Sequence, residues 1–178
     1  VSLARNKTFD LKKDFMVTNF KKKKRLNSRF TKKWMKKIVK VRRITKVVKG
    51  GKKLRFGALV IIGNKRGVVG VGVGKANDVR TAIDKAEKNG KRNLIKIPLT
   101  QSATIPHNVS GQYGACNVII KPISIGSGVI AGGSVRILLE MAGVRNILSK
   151  QLGSDNLLNN ARATIRALKS IKIVTESL

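Results

Sequence analysis

The sequence predicts an α+β protein of two domains behind a basic N-terminal extension. Three observations support this class. Three apolar, strand-like runs separated by glycine-bearing turns lie within Val41–Ala76, a helix-spaced apolar pattern follows from Val79, and a second series of strand-like and helix-like segments begins after Pro98. We place the boundaries as follows: extension 1–38, first domain 39–101, second domain 102–178.

The first domain is predicted to be a three-stranded meander plus a helix. Its two turns, Lys49–Lys53 and Gly63–Gly67, carry Lys, Arg and Gly. Alternate positions of the third strand are glycine: Gly70, Gly72 and Gly74. Because side chains alternate between the faces of a strand, these glycines form a strip on one face. Such a strip permits close approach of another element, and we predict the following helix there.

That helix is expected to begin at Asn77 or Asp78, either of which can cap it. Two acid–base pairs four residues apart support it: Asp84 with Lys88, and Glu87 with Lys91. Gly90 either allows close packing on the glycine strip or ends the helix early.

The second domain is predicted from a mixed series of segments. In order they are an extended stretch Thr104–Val109, a strand Cys116–Pro122, a helix Ser134–Ala142, a short strand around Asn146–Ser149 and a helix from about Asn156. Gly143 suits the C-terminal cap of the first helix. The last helix is expected to bury one apolar stripe: Leu158, Ala161, Ile165 and Leu168.

Charge limits the function most strongly. The chain carries 39 Lys and Arg against 8 Asp and Glu, a net charge of +31. Of these, 22 basic and two acidic residues lie in residues 1–57. Self-repulsion of this size favours a polyanionic partner over a small-molecule substrate. No apolar run approaches the 18 residues of a membrane span, so no membrane partner is expected.

The extension contains the run Lys21, Lys22, Lys23, Lys24 and Arg25. Four of the five Phe of the chain accompany it: Phe9, Phe15, Phe20 and Phe30. Lysines of this kind neutralise phosphates. The aromatic residues either stack on unpaired bases or anchor the extension on a neighbouring protein.

Basic side chains converge around the two turns of the meander, which predicts contact with nucleic acid. The expected contact residues are Arg42, Arg43, Lys46, Lys49, Gly50, Gly51, Lys52, Lys53, Arg55, Lys65, Arg66 and Lys75, together with Lys21–Arg25. A meander with a packed helix is typical of domains that bind double-stranded RNA by shape. An RNA-recognition-motif sheet would need aromatic residues on its strands, and only Phe56 is available there.

Two glycine-rich stretches resemble phosphate loops without completing one. In Gly70–Ala76, Val69 stands where a Walker motif opens with glycine, and Ala76 replaces its Ser/Thr. The stretch Pro122–Gly133 resembles the phosphate loop of the galactokinase–mevalonate kinase group, but only three acidic residues lie beyond residue 100. Because a kinase needs carboxylates for magnesium and for a base, this is a resemblance of fold only.

No cofactor, metal or catalytic residue is expected. His107 is the only histidine and Cys116 the only cysteine, so four Cys/His zinc ligands cannot be assembled. Cys116 lies in an apolar alternation, which predicts a small buried side chain. A single cysteine also excludes a disulfide within the chain.

Ordered agreement across residues 39–172 carries a family resemblance. The segments are VRRITKVVKGGKKLR, ALVIIG and GVVGVGVGKA in the first domain, and TIPH, GVIAGG, VR and GS…NNARAT in the second. Together they resemble the family of small ribosomal subunit protein five, in its bacterial or organellar form. The extension and the segment Lys150–Gly153 are more similar to plastid members, with the bacterial cytoplasm or another organelle as the alternative.

The resemblance implies a structural, non-enzymatic role. Members have a double-stranded-RNA-binding-like first domain and a β/α second domain, bind small-subunit rRNA and support subunit assembly. They lie beside small-subunit proteins four and eight, and line the mRNA entry path with proteins three and four. Decoding accuracy is tuned at the contact with protein four, which corresponds here to Gly128 and Arg136. A free-standing double-stranded-RNA-binding protein and a small-molecule kinase-like enzyme are the alternatives.

Overall fold

The computed structural model describes residues 34–171, which fold into two four-stranded sheets and three helices. The elements of the first sheet and its helix are β1 (Met35–Val48), β2 (Gly51–Gly63), β3 (Val68–Ala76), α1 (Val79–Arg92) and β4 (Leu94–Lys96). The strands of this sheet have the order β1-β2-β3-β4. The predicted antiparallel meander and helix are therefore present, and the short strand β4 is an addition.

The elements of the second sheet and its helices are β5 (Val109–Tyr113), β6 (Cys116–Pro122), β7 (Val129–Ile130), α2 (Gly133–Ala142), β8 (Ile147–Leu152) and α3 (Leu157–Lys169). The strands have the order β5-β6-β8-β7, with β7 parallel to β8 and the other pairs antiparallel. The predicted α+β class is thus observed. No helix in residues 34–171 is long and apolar enough to cross a membrane.

Helix α1 packs directly on the glycine strip of β3, as predicted. A Cβ atom on Gly70 would lie 2.5 Å from the carbonyl oxygen of Gly90, and one on Gly72 would overlap the backbone of Ala86. Gly90 stays inside the helix and is buried against the side chain of Ile62. Of the two roles considered for Gly90, close packing is the one observed.

The start of α1 differs from the expected cap. Asp78 occupies the N-cap position with an extended backbone, but its side chain caps no backbone N–H. Instead, the hydroxyl of Thr81 donates to the Asp78 carbonyl at 3.0 Å. Of the two predicted ion pairs, Glu87 with Lys91 forms at 2.6 Å, and Asp84 has no ion-pair partner among the described residues.

The second half of β2, Ala58–Gly63, is buried on both faces because the first sheet is covered on both sides. Ile62 faces α1, whereas Leu59 and Ile61 join the core that contains the second sheet and its helices. This arrangement explains why the segment is a continuous apolar run and does not alternate.

The turn between β2 and β3 docks on the end of α2. The N–H groups of Lys65 and Gly67 donate to the carbonyls of Met141 and Ala142 at 3.0 and 2.7 Å. These carbonyls belong to the last turn of a helix, where no intrahelical donor is available. Gly143 ends α2 in the left-handed conformation at φ +91°, which confirms the predicted cap.

Helix α3 begins as expected, with the Asn156 side chain accepting from the N–H of Leu158 at 3.2 Å. Its buried face differs from the predicted stripe. Ala161 and Leu168 are buried, but Leu158 and Ile165 are half-buried. Small side chains take their place in the interface: Asn160, Ala163, Thr164 and Ala167. Gly111 of β5 lies against the backbone of α3 at Ala163 and Ala167, so small side chains of the helix face the sheet there.

Candidate nucleic-acid interface

The β1–β2 hairpin extends beyond the packed part of the first sheet as a two-stranded arm, residues 42–56, which we call the hairpin arm. Its strands stay in continuous register from Arg42 opposite Gly57 to Val48 opposite Gly51. All residues in 45–47 and 49–55 are exposed. Seven residues of strand give the arm a length of about 20 Å.

A two-residue turn, Lys49-Gly50, closes the arm. Gly50 has φ +86° and Gly51 has φ +150°, values that residues other than glycine rarely adopt. A Cβ atom at either glycine would meet no atom within 4 Å, so neither glycine is required by close packing. Backbone N–H groups at such a tip are accessible to phosphate oxygens.

Cations occupy both faces of the arm. Residues opposite each other across an antiparallel pair share a face, and the register assigns each side chain accordingly. Arg42, Lys46, Lys53 and Arg55 lie on one face, and Arg43 and Lys52 on the other. The structure therefore brings together the predicted residues of this turn as a two-sided basic surface.

These cations have no acidic partner in residues 34–171. Four ion pairs form in that range, and they involve only two carboxylates: Glu87 with Lys36 and Lys91, and Glu140 with Lys37 and Arg136. Within the arm, only Arg55 bonds a polar side chain, donating from Nε to Asn77 at 3.3 Å. The charge of the arm is therefore available to an external anion.

In the four ion pairs, by contrast, each charge has a partner within the protein, and the pKa values of three of these residues are shifted. Hydrogen bonds from Lys36 and then Lys91 lower the pKa of the Glu87 carboxyl below 4.5. The hydrogen bond from Arg136, assisted by Lys37, lowers the pKa of Glu140. The bond to Glu87 raises the pKa of the Lys36 ammonium above 10.5. Both carboxylates are therefore charged at neutral pH, and each is neutralised by two partly exposed cations: Glu87 by Lys36 and Lys91, and Glu140 by Lys37 and Arg136.

Two apolar side chains stand exposed among the arm cations. Val47 is 73% and Leu54 is 53% exposed, and both lie on the face that carries Arg43 and Lys52. The sequence pattern alone marked them as strand residues, without distinguishing a covered strand from a free one.

Lys75 joins the arm through β3. It lies opposite Gly57, which in turn lies opposite Arg42, so the three form one row across the sheet. An apolar groove lies at the base of the hairpin arm, and its lining includes Lys40, Arg42, Lys75 and Leu157. Sequence reasoning missed Lys40, although the alternation of Lys40, Arg42 and Lys46 along β1 was a usable signal.

Lys65 and Arg66 lie at the other end of β2, so the structure does not bring them to the arm. An Asn64 side chain accepts from the N–H groups of Arg66 and Val68 and fixes the turn, with Lys65 at φ +55°. Both basic side chains are exposed. The predicted residues Lys21–Arg25 lie outside the described residues.

The two residues assigned by resemblance to a protein contact lie in and after the Ser124–Gly128 loop. Gly128 has φ +76° with open space around it, and Ile125 in the same loop is 80% exposed. Buried Asn146 holds the loop by accepting from the N–H of Gly126 at 3.1 Å. Arg136 projects from α2 and donates to Glu140 at 2.9 Å.

Comparison with known proteins identifies two family domains. The family described as "Ribosomal protein S5, N-terminal domain" matches residues 34–98, and "Ribosomal protein S5, C-terminal domain" matches residues 111–177. These ranges contain the first sheet with the hairpin arm and most of the second sheet with its helices.

Comparison with whole proteins supports the same family. Small ribosomal subunit protein uS5c of Guillardia theta is 61% identical over 145 residues, covering 82% of this chain and 86% of the relative. Protein uS5 of the cyanobacterium Acaryochloris marina is 55% identical, with coverages of 88% and 90%. Protein uS5c of Trieres chinensis is 55% identical, with coverages of 82% and 79%. The resemblance and the plastid type predicted from the sequence are confirmed.

Proposed function

This chain belongs to the ribosomal protein S5 family, and we propose that it serves the small ribosomal subunit by binding rRNA through its hairpin arm. As a member of this family it is a structural constituent of the small subunit, of plastid type, and not an enzyme. The observation that supports the proposed role of the arm is the set of seven cations in residues 42–55 that have no acidic partner within residues 34–171.

Phosphate neutralisation is the proposed mechanism. Each Lys or Arg that contacts a phosphate releases condensed counterions, so affinity falls with salt at a slope of about 0.7 to 0.9 per contact. Because the cations occupy both faces and the tip, the arm contacts RNA on more than one side. Such an arrangement fixes the relative position of two RNA segments, which is how we propose that the protein supports subunit assembly.

A protein contact is the second part of the proposal. The exposed loop Ser124–Gly128 and Arg136 form the proposed interface with small-subunit protein four, through which decoding accuracy is tuned. The family resemblance further supports a position beside protein eight, and near protein three at the mRNA entry path. The exposure of Ile125 and the open space at Gly128 are consistent with a surface that a neighbouring protein covers.

Salt-dependent binding to small-subunit rRNA tests the role of the arm. The variant Lys49→Gln/Lys52→Gln removes two charges at the tip, and Lys85→Gln/Lys88→Gln removes two exposed charges on α1 as a matched control. We expect the arm variant to lower the salt slope by about 1.4 to 1.8 and the control to leave it unchanged. Equal effects of both pairs, or no effect of the arm pair, would contradict the proposal.

A further inference from the structure

A groove runs between α1 and α3, outside residues 42–56, and we call it the α1/α3 groove. It shares Val73 and Leu158 with the apolar groove at the base of the hairpin arm. Its floor consists of half-buried or buried aliphatic side chains: Val71, Val73, Leu94, Ile95, Leu158 and Ile165. Polar side chains of α1 and α3 form its walls. The half-buried state of Leu158 and Ile165 follows from their place in this groove.

The groove exists because β3 has an open edge. Strand β4 pairs only with Val68–Gly70, so no strand among residues 34–171 pairs with β3 on that side from Val71 onward. The side-chain amide of Asn89 donates to the Val73 carbonyl at 3.0 Å and blocks the pairing of another strand there. An occupant is therefore held mainly by the side chains of the groove.

Both walls carry positive charge. Arg92 of α1 and Arg162 and Lys169 of α3 line the groove, and no carboxylate of the described part of the chain does. Helix α3 contains no acidic residue at all. The guanidinium of Arg162 is held in place, since it donates to the Tyr113 hydroxyl at 2.8 Å and lies over the ring, 5.2 Å from its centre. The field inside the groove thus selects an anionic occupant.

The apolar floor distinguishes between the two kinds of anionic partner. A duplex presents phosphates and riboses, which gain little from six aliphatic side chains, and unpaired bases are bound by aromatic side chains. None of the floor residues is aromatic. Aliphatic side chains flanked by carboxylates match the floor and the walls together.

We propose that the α1/α3 groove binds a segment of a neighbouring protein in the small subunit that alternates aliphatic and acidic residues. The α3 wall runs from Leu158 to Lys169, about 16 Å of helix. This length accommodates about five residues of extended chain. The proposal rests on membership of the small subunit, and it does not depend on how the hairpin arm binds rRNA.

Site-specific photo-crosslinking in the assembled small subunit tests the proposal. A photoreactive residue replaces Ile165 in the groove or, as a control, exposed Thr81 at the other end of α1. We expect the Ile165 probe to label one protein segment that contains acidic and aliphatic residues, and the Thr81 probe not to label it. Labelling of rRNA by the Ile165 probe, or no product from it, would overturn the proposal.

Charge reversal separates this surface from the arm. Arg162→Glu should reduce that cross-link by about tenfold while leaving the salt slope for rRNA unchanged, and Lys85→Glu should change neither. Because Arg162 is exposed, the variant is expected to fold, and its thermal midpoint verifies this. If Arg162→Glu lowers the salt slope as the arm variant does, the groove binds RNA and the proposal is wrong. An unchanged cross-link yield would also contradict it.

Discussion

The two ends of strand β1 use the same residue types in different ways. Near its start, Lys36 bonds Glu87 of α1 at 2.8 Å and Lys37 bonds Glu140 of α2 at 3.2 Å. From Arg42 onward the cations have no acidic partner in the part of the chain that the structure describes. What decides the role of each cation is whether a packed helix presents a carboxylate to it.

Strand geometry explains this division. Successive residues point to opposite faces, so Lys36 and Lys37 reach helices on the two sides of the sheet. Neither helix covers the outer part of the hairpin arm, where residues 45–47 and 49–55 are all exposed. The charge at the first end therefore stabilises the fold, and the charge at the second is kept for a partner.

The largest expected effect compares two glycines, one in β3 under α1 and one at the base of the hairpin arm. Gly72→Ala places a methyl group into the backbone of α1, whereas Gly57→Ala at the base of the arm meets only the end of the Ile44 side chain, at 2.7 Å. We expect Gly72→Ala to cost about 3 kcal/mol of unfolding free energy, and Gly57→Ala less than about 1 kcal/mol. Denaturant unfolding measures both. Similar costs would contradict the difference in packing between the two sites.

A second variant makes stability and binding change in opposite directions. Lys46 and Lys53 lie directly opposite each other in the arm, and like charges in that position are destabilising. Lys53→Glu converts the pair into an attractive one, so the free energy of unfolding should rise by about 0.5 kcal/mol. The affinity for rRNA should fall by about tenfold, because two cations no longer neutralise phosphates. Lys85→Glu on α1 is the matched control, and a parallel loss of stability and binding would refute the division of roles.

The smallest expected effect concerns the paired end. Glu87→Gln should lower stability near neutral pH by about 0.5 kcal/mol, since the pair is partly exposed. The pKa of Glu87 is lowered in the folded protein, so its contribution is present above about pH 4.5 and disappears as the pH falls through the depressed value. The variant should lose that part of the pH dependence in acid unfolding curves. Asp84→Asn on the same helix is the control, and an equal effect there would contradict the assignment.

Much of the fold could be predicted from local patterns. Strong signals were the glycine strip with its following helix, the strand at Cys116–Pro122 and the cap at Gly143. Strand β5 was not predicted, because Ser110-Gly111-Gln112 is polar and has no alternation. Its Gly111 lies against the backbone of α3, where a Cβ atom would be 2.5 Å from the Ala163 carbonyl oxygen. That contact becomes visible only once the tertiary structure is known.

The candidate site shows the same limit. The charge density around Gly50 predicted a basic turn between two strands, because a run of Lys and Gly is a local property of the sequence. The groove could not be predicted, since the alternation of Leu158, Arg162, Ile165 and Lys169 resembles an ordinary core stripe with solvated charges. Only the packing of α3 on β5 and the open edge of β3 show that the stripe faces a groove.

Lysine reactivity in the free protein and in the assembled small subunit would test the division of β1 most directly. Amine-modification rates of individual lysines report whether each ammonium is accessible. We predict that Lys46, Lys49, Lys52 and Lys53 become about tenfold less reactive in the subunit, while Lys36 and Lys37, already bonded to carboxylates, stay as they are in the free protein. Arm lysines that keep their free reactivity, or an equal decrease at both ends of β1, would contradict this account.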